Sequence, residues 1–452
     1  PEEEFFKWSE FGFTHIWLMG VWKTGPRARE HALESFRQHW TSDPTLAGFS
    51  EADVVASPFA IHSYEVPEEF GGDEALAIFR KRLHRHGLKL LLDFVPNHVG
   101  LDHPWLIEQP ALFVRGPNSF SGTFRVENTL DHIAHGKDPF FSPWADTAQL
   151  DYRNRATQRK IISLLQTIAD RCDGVRCDMA MLLLHDVFAK TWAEFPTEKS
   201  VELASPENEF WAEAIQTIKA AHPEFTFMAE VYWDLEPRLQ ALGFDFTYNK
   251  RVYDHLLRDE YPELQERLRE ENIGFLARSA HFLENHDEAR AARLFSFEEH
   301  LPAALLTLAL PGMRLIHQGQ LDGLQIHQRI QLARRPAEVF ETNIGNFYER
   351  LLRALTASSV GKGAPNILRS VETRSSVVAV VWNADGCVDV AIVNLSAEPV
   401  HARFEWNYPY MHPASALFET APGLAQSISW TDTLFHVDLA PFAAHLLRFW
   451  QT

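Results

Sequence analysis

Apolar runs of a few residues that stop abruptly at polar ones recur along the chain, as FTHIWLMG, LKLLLDFVPNH, GVRCDMA, FTFMAEVYW, FDFTY, SAHFLENHD and RLIHQG. Between them lie amphipathic stretches such as DEALAIFRKRLHRHG and TQRKIISLLQTIADR. Short buried strands alternating with one-faced helices predict a parallel sheet wrapped by helices, a β/α barrel. The first of these helices should close at Gly87, because a residue free to take positive φ commonly ends a helix. Residues 101–151 break the rhythm: they are rich in Pro, Gly, Asn and His and carry no long periodic helix. An insertion after one barrel strand explains them, since the loops at that end of a barrel carry extra structure. After Ala364 the pattern becomes SSVVAVVWNADGCVDVAIVNLS, two β-rich runs joined at Asp385 and Gly386, and later HVDLAPFAAHLLRF. That reads as a small antiparallel sandwich. The predicted division is therefore a barrel over residues 1–100 and 152–363, an inserted segment over 101–151, and a β-sandwich over 364–452.

Composition narrows the partners. Of the 452 residues, 46% are hydrophobic and 23% charged, which is the balance of an ordinary globular protein. The formal net charge of -19 opposes binding to nucleic acid, whose phosphates need clustered Lys and Arg, while an uncharged sugar meets no such barrier. The longest apolar stretches, LPAALLTLALPG among them, are too short or interrupted to span a bilayer, and PEEEFFKWSE is acidic where a secretory signal would be basic. Cys172, Cys177 and Cys387 are odd in number and lack paired metal spacing, so reduced thiols in a cytoplasm are expected.

Candidate chemistry sits where the apolar runs end. In LENHDEARAARLF, Asn285, His286 and Asp287 stand side by side; such groups must bury against one another or face something. In DGVRCDMA, Arg176 and Asp178 are two apart, so a strand places them on one face. A guanidinium beside a carboxylate suits a nucleophile, and it equally suits a structural ion pair. Glu230 follows five uncharged residues and precedes Val231, Tyr232 and Trp233. Desolvation would favour its neutral form, as a proton donor requires, unless the strand end is exposed. DFVPNH adds Asp93, Asn97 and His98. Each group falls at the end of a separate candidate strand, the rim on which barrel enzymes assemble their sites. His98, His286 and the acids could hold a divalent ion, but no HExxH spacing appears, and neither a GxSxG elbow nor a GxxxxGK[ST] loop is present. No metal and no cofactor are expected.

These residues resemble the α-amylase family, glycoside hydrolase family 13. DFVPNH, GVRCDMAM, AEVYW and ENHDE match its four short motifs in the family's order, and SPFAIHSYEV and DTAQLDYRN are similar to further family segments. The resemblance implies a TIM barrel, (β/α)8, with an inserted domain B and a C-terminal antiparallel β-sandwich. It also implies retaining cleavage of α-glucosidic bonds in oligo- or polysaccharides. In that reading Asp178 is the nucleophile, Glu230 the general acid and base, and Asp287 the carboxylate that holds the sugar. His98, Arg176 and His286 would contact the sugar before the scissile bond, and Phe59 stands where the family often has a stacking Tyr.

The chain also departs from the family. Met179, Ala180, Met181 and Leu182 follow Asp178 where many relatives carry Lys and His that serve sugar binding and a calcium site. No calcium of the usual type is therefore expected near Asn97, and density with several oxygen ligands at about 2.4 Å there would contradict this. Seven candidate strands are visible where a closed barrel has eight, and the helix-like PEEEFFKWSEFG opens the chain where the family has a strand first, so a fragment, a processed form or a product with an unusual opening is expected, with an incompletely closed barrel. Trp22, Trp105, Trp144, Phe140 and Phe141 could line a cleft or pack loops onto a core. A transglycosylase or isomerase would use the same motifs. A silent binding or scaffold relative would be marked by loss of an essential acid, and all three are present.

Overall fold

The structure is a computed structural model that describes residues 2–117, 120–127, 129, 132–197, 201–205, 207–408, 411–420, 428–431 and 433–451. The chain divides into two compact units. One contains Pro1–Ser9, Phe13–Thr247 and Gln328–Pro336; the other contains Glu10–Gly12, Tyr248–His327 and Ala337–Thr452.

The parallel strands β1 (His15–Leu18), β2 (Lys89–Phe94), β3 (Gly174–Cys177), β4 (Thr226–Ala229) and β5 (Phe246–Tyr248) lie side by side in chain order, all in the first unit except Tyr248, the last residue of β5. The run LLLDF of β2 is apolar almost throughout because a parallel strand in this setting is buried on both faces. Register aligns Asp93 of β2 with Arg176 of β3, and Arg176 with Met228 of β4. Gly174 is required for that closeness, since a Cβ there would stand 2.5 Å from the Thr226 carbonyl oxygen. The helix predicted before β2 spans Gly72–Arg85, and Gly87 follows its end at φ +72°. The helix Arg155–Ala169, before β3, starts at Asn154, whose Oδ1 accepts the Ala156 N–H at 2.9 Å. Residues 101–151 contain only short elements. His98–Gly100 pairs antiparallel with Thr147–Gln149, and Thr123–Arg125 with His132–Ala134.

In the second unit β6 (Ser279–Phe282) and β7 (Met313–Leu315) pair in parallel. The helix between them, Phe297–Ala309, opens with a reciprocal cap of Ser296 and Glu299. All seven predicted runs thus form strands of an α/β fold. The C-terminal part forms antiparallel sheets, as expected. Among the described residues one sheet orders Ala364–Ile367, Val377–Ala384, Cys387–Asn394, Ala444–Gln451 and Met411–Glu419, and another orders Val400–Glu405, Leu434–Leu439 and Ser429–Thr431. Val381, Ile392 and Phe449 from the first sheet share one core with Phe404 and Phe435 from the second. The Asp385–Gly386 turn joins Val377–Ala384 to Cys387–Asn394, with Gly386 at φ +80°. No helix among the described residues is long and apolar enough to cross a membrane.

Candidate active site

The parallel ladder continues past the ends of β3 and β4 and sets the acids in place. Asp178 N–H donates to the Phe94 carbonyl at 2.9 Å, and Glu230 N–H to the Cys177 carbonyl at 3.0 Å. Arg176, one residue before the end of β3, lies between them. Its Nη1 donates to Asp178 Oδ1 at 2.6 Å and its Nη2 to Glu230 Oε2 at 2.7 Å. The three side chains are only 1%, 8% and 5% exposed. So little water reaches them that these charge-assisted bonds are strong and the loss of any partner is costly.

Two further donors reach Glu230. Met179 N–H meets Oε2 at 2.9 Å, and the Tyr232 hydroxyl meets Oε1 at 2.8 Å. Met179 takes a left-handed conformation, φ 43° and ψ 46°, to aim its amide there, at a cost of roughly 1–2 kcal/mol for a residue with a Cβ. Burial, helped by the charge of Asp178, holds the Glu230 carboxyl above the usual carboxylate range, against the pull of Arg176 and the two hydrogen bonds. Tyr232→Phe removes one bond that favours the ionised form, so Glu230 should hold its proton to higher pH. The alkaline limb of a kcat/KM profile should then move up, and a limb that stays or falls would show that Glu230 does not set it.

Around this pair, Asp93 is fully buried, accepts the Trp17 indole N–H at 3.0 Å and the Gly20 N–H at 2.7 Å, and is pushed up to about 6 by burial. The Arg176 guanidinium lies 5.4 Å from the Trp17 ring and 5.2 Å from the Phe59 ring. His98 is buried beside Trp144, at 5.2 Å between rings, and hydrogen-bonds the Phe59 backbone. Burial lowers its pKa to about 4, so it is an uncharged donor or acceptor at neutral pH. Asn97 is tied to Gln149 by reciprocal amide bonds of 3.2 and 3.0 Å. Among the described residues no group of three or more His, Cys, Asp or Glu is arranged to hold a metal.

In the second unit the stretch after β6 forms a braced turn. Asn285 Oδ1 accepts the N–H groups of Asp287 and Glu288, each at 2.9 Å. His286 is buried, with Nε2 at 3.2 Å from Asp287 Oδ2, while the Asp287 carboxyl is 45% exposed. The His286 carbonyl accepts His327 Nε2 at 2.8 Å. Glu284, fully buried, anchors both ends of the loop: it accepts Arg290 Nη1 at 2.6 Å and the Ala291 N–H at 2.7 Å. Arg290 Nη1 also donates to the Gln318 carbonyl at 2.8 Å. Arg290→Met should cost about 3–5 kcal/mol by stranding the Glu284 charge, seen as a lower melting temperature; an unchanged melt would mean that the pair is not held in solution.

Residues 9–123 match the family model of the α-amylase catalytic domain. An α-amylase of Dictyoglomus thermophilum is 22% identical over 299 residues, 60% of this chain and 55% of that protein. An α-amylase, MalA, of Haloarcula japonica is 25% identical over 283 residues, 60% of this chain and 38% of that protein. By these matches this chain is similar to proteins of the α-amylase family. It spans about half the length of the curated relatives it matches, or less. The crystal structure of a maltogenic α-amylase from Thermotoga neapolitana superposes with a TM-score of 0.72 at 19% identity, covering 100% of this chain and 94% of that one. At that identity the likeness concerns the fold.

Asp178, Glu230, Arg176, Phe59 and His98 come together in the first unit, and His286 and Asp287 adjoin each other in the second. Trp22 packs instead of lining a cleft: it is 2% exposed and its indole donates to the Asp93 carbonyl at 2.7 Å. Sequence reasoning did not find Tyr232, Met179 or Trp17 as partners of the acids, nor Glu284 and Arg290 as the frame of the Asp287 loop. The spacing of Tyr232, two residues beyond Glu230, carried a same-face signal. The others depend on contacts between distant segments.

Proposed function

We propose that the chain hydrolyses α-glucosidic bonds in oligo- or polysaccharides with retention of configuration. The observation that carries this is the single buried guanidinium of Arg176 hydrogen-bonded at once to Asp178 and Glu230. One guanidinium can reach both only if the carboxyl groups stand a few ångström apart, in keeping with the roughly 5–5.5 Å of retaining enzymes rather than the roughly 6.5–9.5 Å of inverting ones. In this reading Glu230, whose neutral form burial favours, gives its proton to the leaving oxygen as Asp178 attacks the anomeric carbon. Glu230 then takes a proton from the water that cleaves the glycosyl ester. Contacts to the sugar are proposed for Arg176, His98 and Phe59 in the first unit and, from the motif match alone, for Asp287 and His286 in the second. Residues 1–100 and 152–363 form the barrel, 101–151 the inserted domain and 364–452 the sandwich.

Transfer of the same intermediate to a second sugar is the alternative, supported by the exposed Phe140 ring, which meets the ring of Trp233, three residues after Glu230, at 4.9 Å between centroids. A time course with maltoheptaose separates the two. Shorter products released first as the α-anomer support hydrolysis with retention, products longer than the substrate support transfer, and β-anomer products would overturn the reading.

A further inference from the structure

The residue after Asp178 stands in a conformation that its side chain resists. Met179 has φ 43° and ψ 46°, the left-handed region that a residue with a Cβ holds only when its neighbours are fixed. Both neighbours are fixed here. On one side the Asp178 N–H is bound to the Phe94 carbonyl at 2.9 Å. On the other, Ala180 is gripped at both ends of its main chain: its N–H donates to the Glu230 carbonyl at 3.0 Å, and its carbonyl accepts the indole N–H of Trp211 at 2.8 Å. Trp211 stands in the first turn of the helix Phe210–Ala221, is fully buried, and is packed by the rings of Phe94, Phe210 and Phe244 at centroid distances of 6.2, 5.1 and 4.8 Å. Of these anchors, only the Trp211 indole belongs to a side chain. The product of the constraint is the Met179 N–H, which points at Glu230 Oε2 at 2.9 Å.

We propose that Trp211 is a positioning residue of the candidate active site: its hydrogen bond to the Ala180 carbonyl keeps Met179 left-handed and so keeps a main-chain donor on Glu230. The inference rests on the assignment of Glu230 as the acid. Without the indole N–H the buried Ala180 carbonyl is left unpaired, which favours rotation of the turn toward another partner, and Met179 is free to leave the left-handed region. Glu230 then loses a donor that favours its ionised form and one of the contacts that aim its carboxyl. The other groups that act on Glu230 are Arg176, Asp178 and Tyr232, and the loss of the indole N–H alters none of them chemically. Trp211 therefore acts on the acid through Ala180 and Met179.

The test compares the unsubstituted protein with W211F, which keeps an aromatic ring in the core but has no N–H, and with M179V, which keeps Trp211 but puts a β-branched residue where the left-handed conformation is least tolerated. Infrared spectra across a pH titration follow the carboxyl band of Glu230, assigned by its absence from E230Q. Its midpoint should rise by about one pH unit in both variants, a readout that needs no turnover. On maltoheptaose, kcat should fall about tenfold in both while KM stays within about twofold, and the alkaline limb of kcat/KM should follow the midpoint. I218A trims a buried side chain of the same helix and serves as the control: it should lower the melting temperature and leave midpoint and limb in place. Glycine takes the left-handed conformation at no steric cost, so W211F combined with M179G should bring the midpoint back toward that of the unsubstituted protein. An unchanged midpoint in W211F, or in M179V should W211F not fold, would overturn the proposal, as would an equal shift in I218A. A shifted midpoint with a limb that does not follow it would count against Glu230 as the acid and would support the positioning role.

Discussion

Asp178→Asn should lower kcat by about 10⁴-fold or more while the protein stays folded. The carboxamide oxygen of Asn can still accept the hydrogen bond from Arg176 Nη1 that Asp178 now accepts at 2.6 Å. The substituted side chain therefore keeps its buried partner but offers no carboxylate to attack the anomeric carbon. The loss corresponds to about 5.4 kcal/mol of transition-state stabilisation. Steady-state kinetics on maltoheptaose, with circular dichroism to verify the fold, check the expectation. Activity within tenfold of the unsubstituted enzyme would remove Asp178 from the mechanism.

Arg176→Ala should damage both stability and activity. The guanidinium is the shared counter-charge of Asp178 and Glu230, and all three groups lie out of water. Removing it strands two buried carboxyl groups, a cost of about 3–5 kcal/mol. The melting temperature should therefore drop by several degrees, and kcat/KM should fall by orders of magnitude. Arg176→Lys separates the two effects. An ammonium keeps the charge but cannot fork to two carboxylates, so much of the stability should return while activity remains low. If Arg176→Ala melts like the unsubstituted protein, the bridge is not the organising contact that its geometry indicates.

The strands were legible because burial on both faces leaves few alternatives to apolar side chains. The sequence of β3 stops at Asp178 and that of β4 at Glu230, so the ends of the strands could be read directly. That Arg176 and Asp178 pair was legible too, since they are two residues apart. The bond from Arg176 to Glu230 was not, because it depends on the register of β3 with β4, which aligns Arg176 with Met228. The surroundings of Glu230 are also less apolar than its neighbours in sequence suggest. Its three donors come from Arg176, Met179 and Tyr232, two of them from another strand end.

The stretch around His286 shows the same limit. Three adjacent polar residues after an apolar run divide their roles: the Asn285 side chain closes the turn, His286 is buried, and Asp287 retains an exposed carboxyl. Spacing alone cannot assign those roles. The frame of Glu284 and Arg290 depends on a buried charge whose partner lies six residues on and on a contact to the segment after β7. Trp22 was ambiguous for a different reason. An indole can pack or bind, and only the buried hydrogen bond to the Asp93 carbonyl decides for packing.

The central claim, a covalent glycosyl intermediate on Asp178, is tested most directly by trapping it. Incubation with a 5-fluoro-α-glucosyl fluoride slows breakdown of the glycosyl ester more than its formation, and mass spectrometry of the digested protein then locates the label. The account predicts one added fluoroglucosyl group on the peptide that contains Asp178, and none in the Asp178→Asn protein. A label on a different residue, or turnover of the reagent without any labelled peptide, would contradict it.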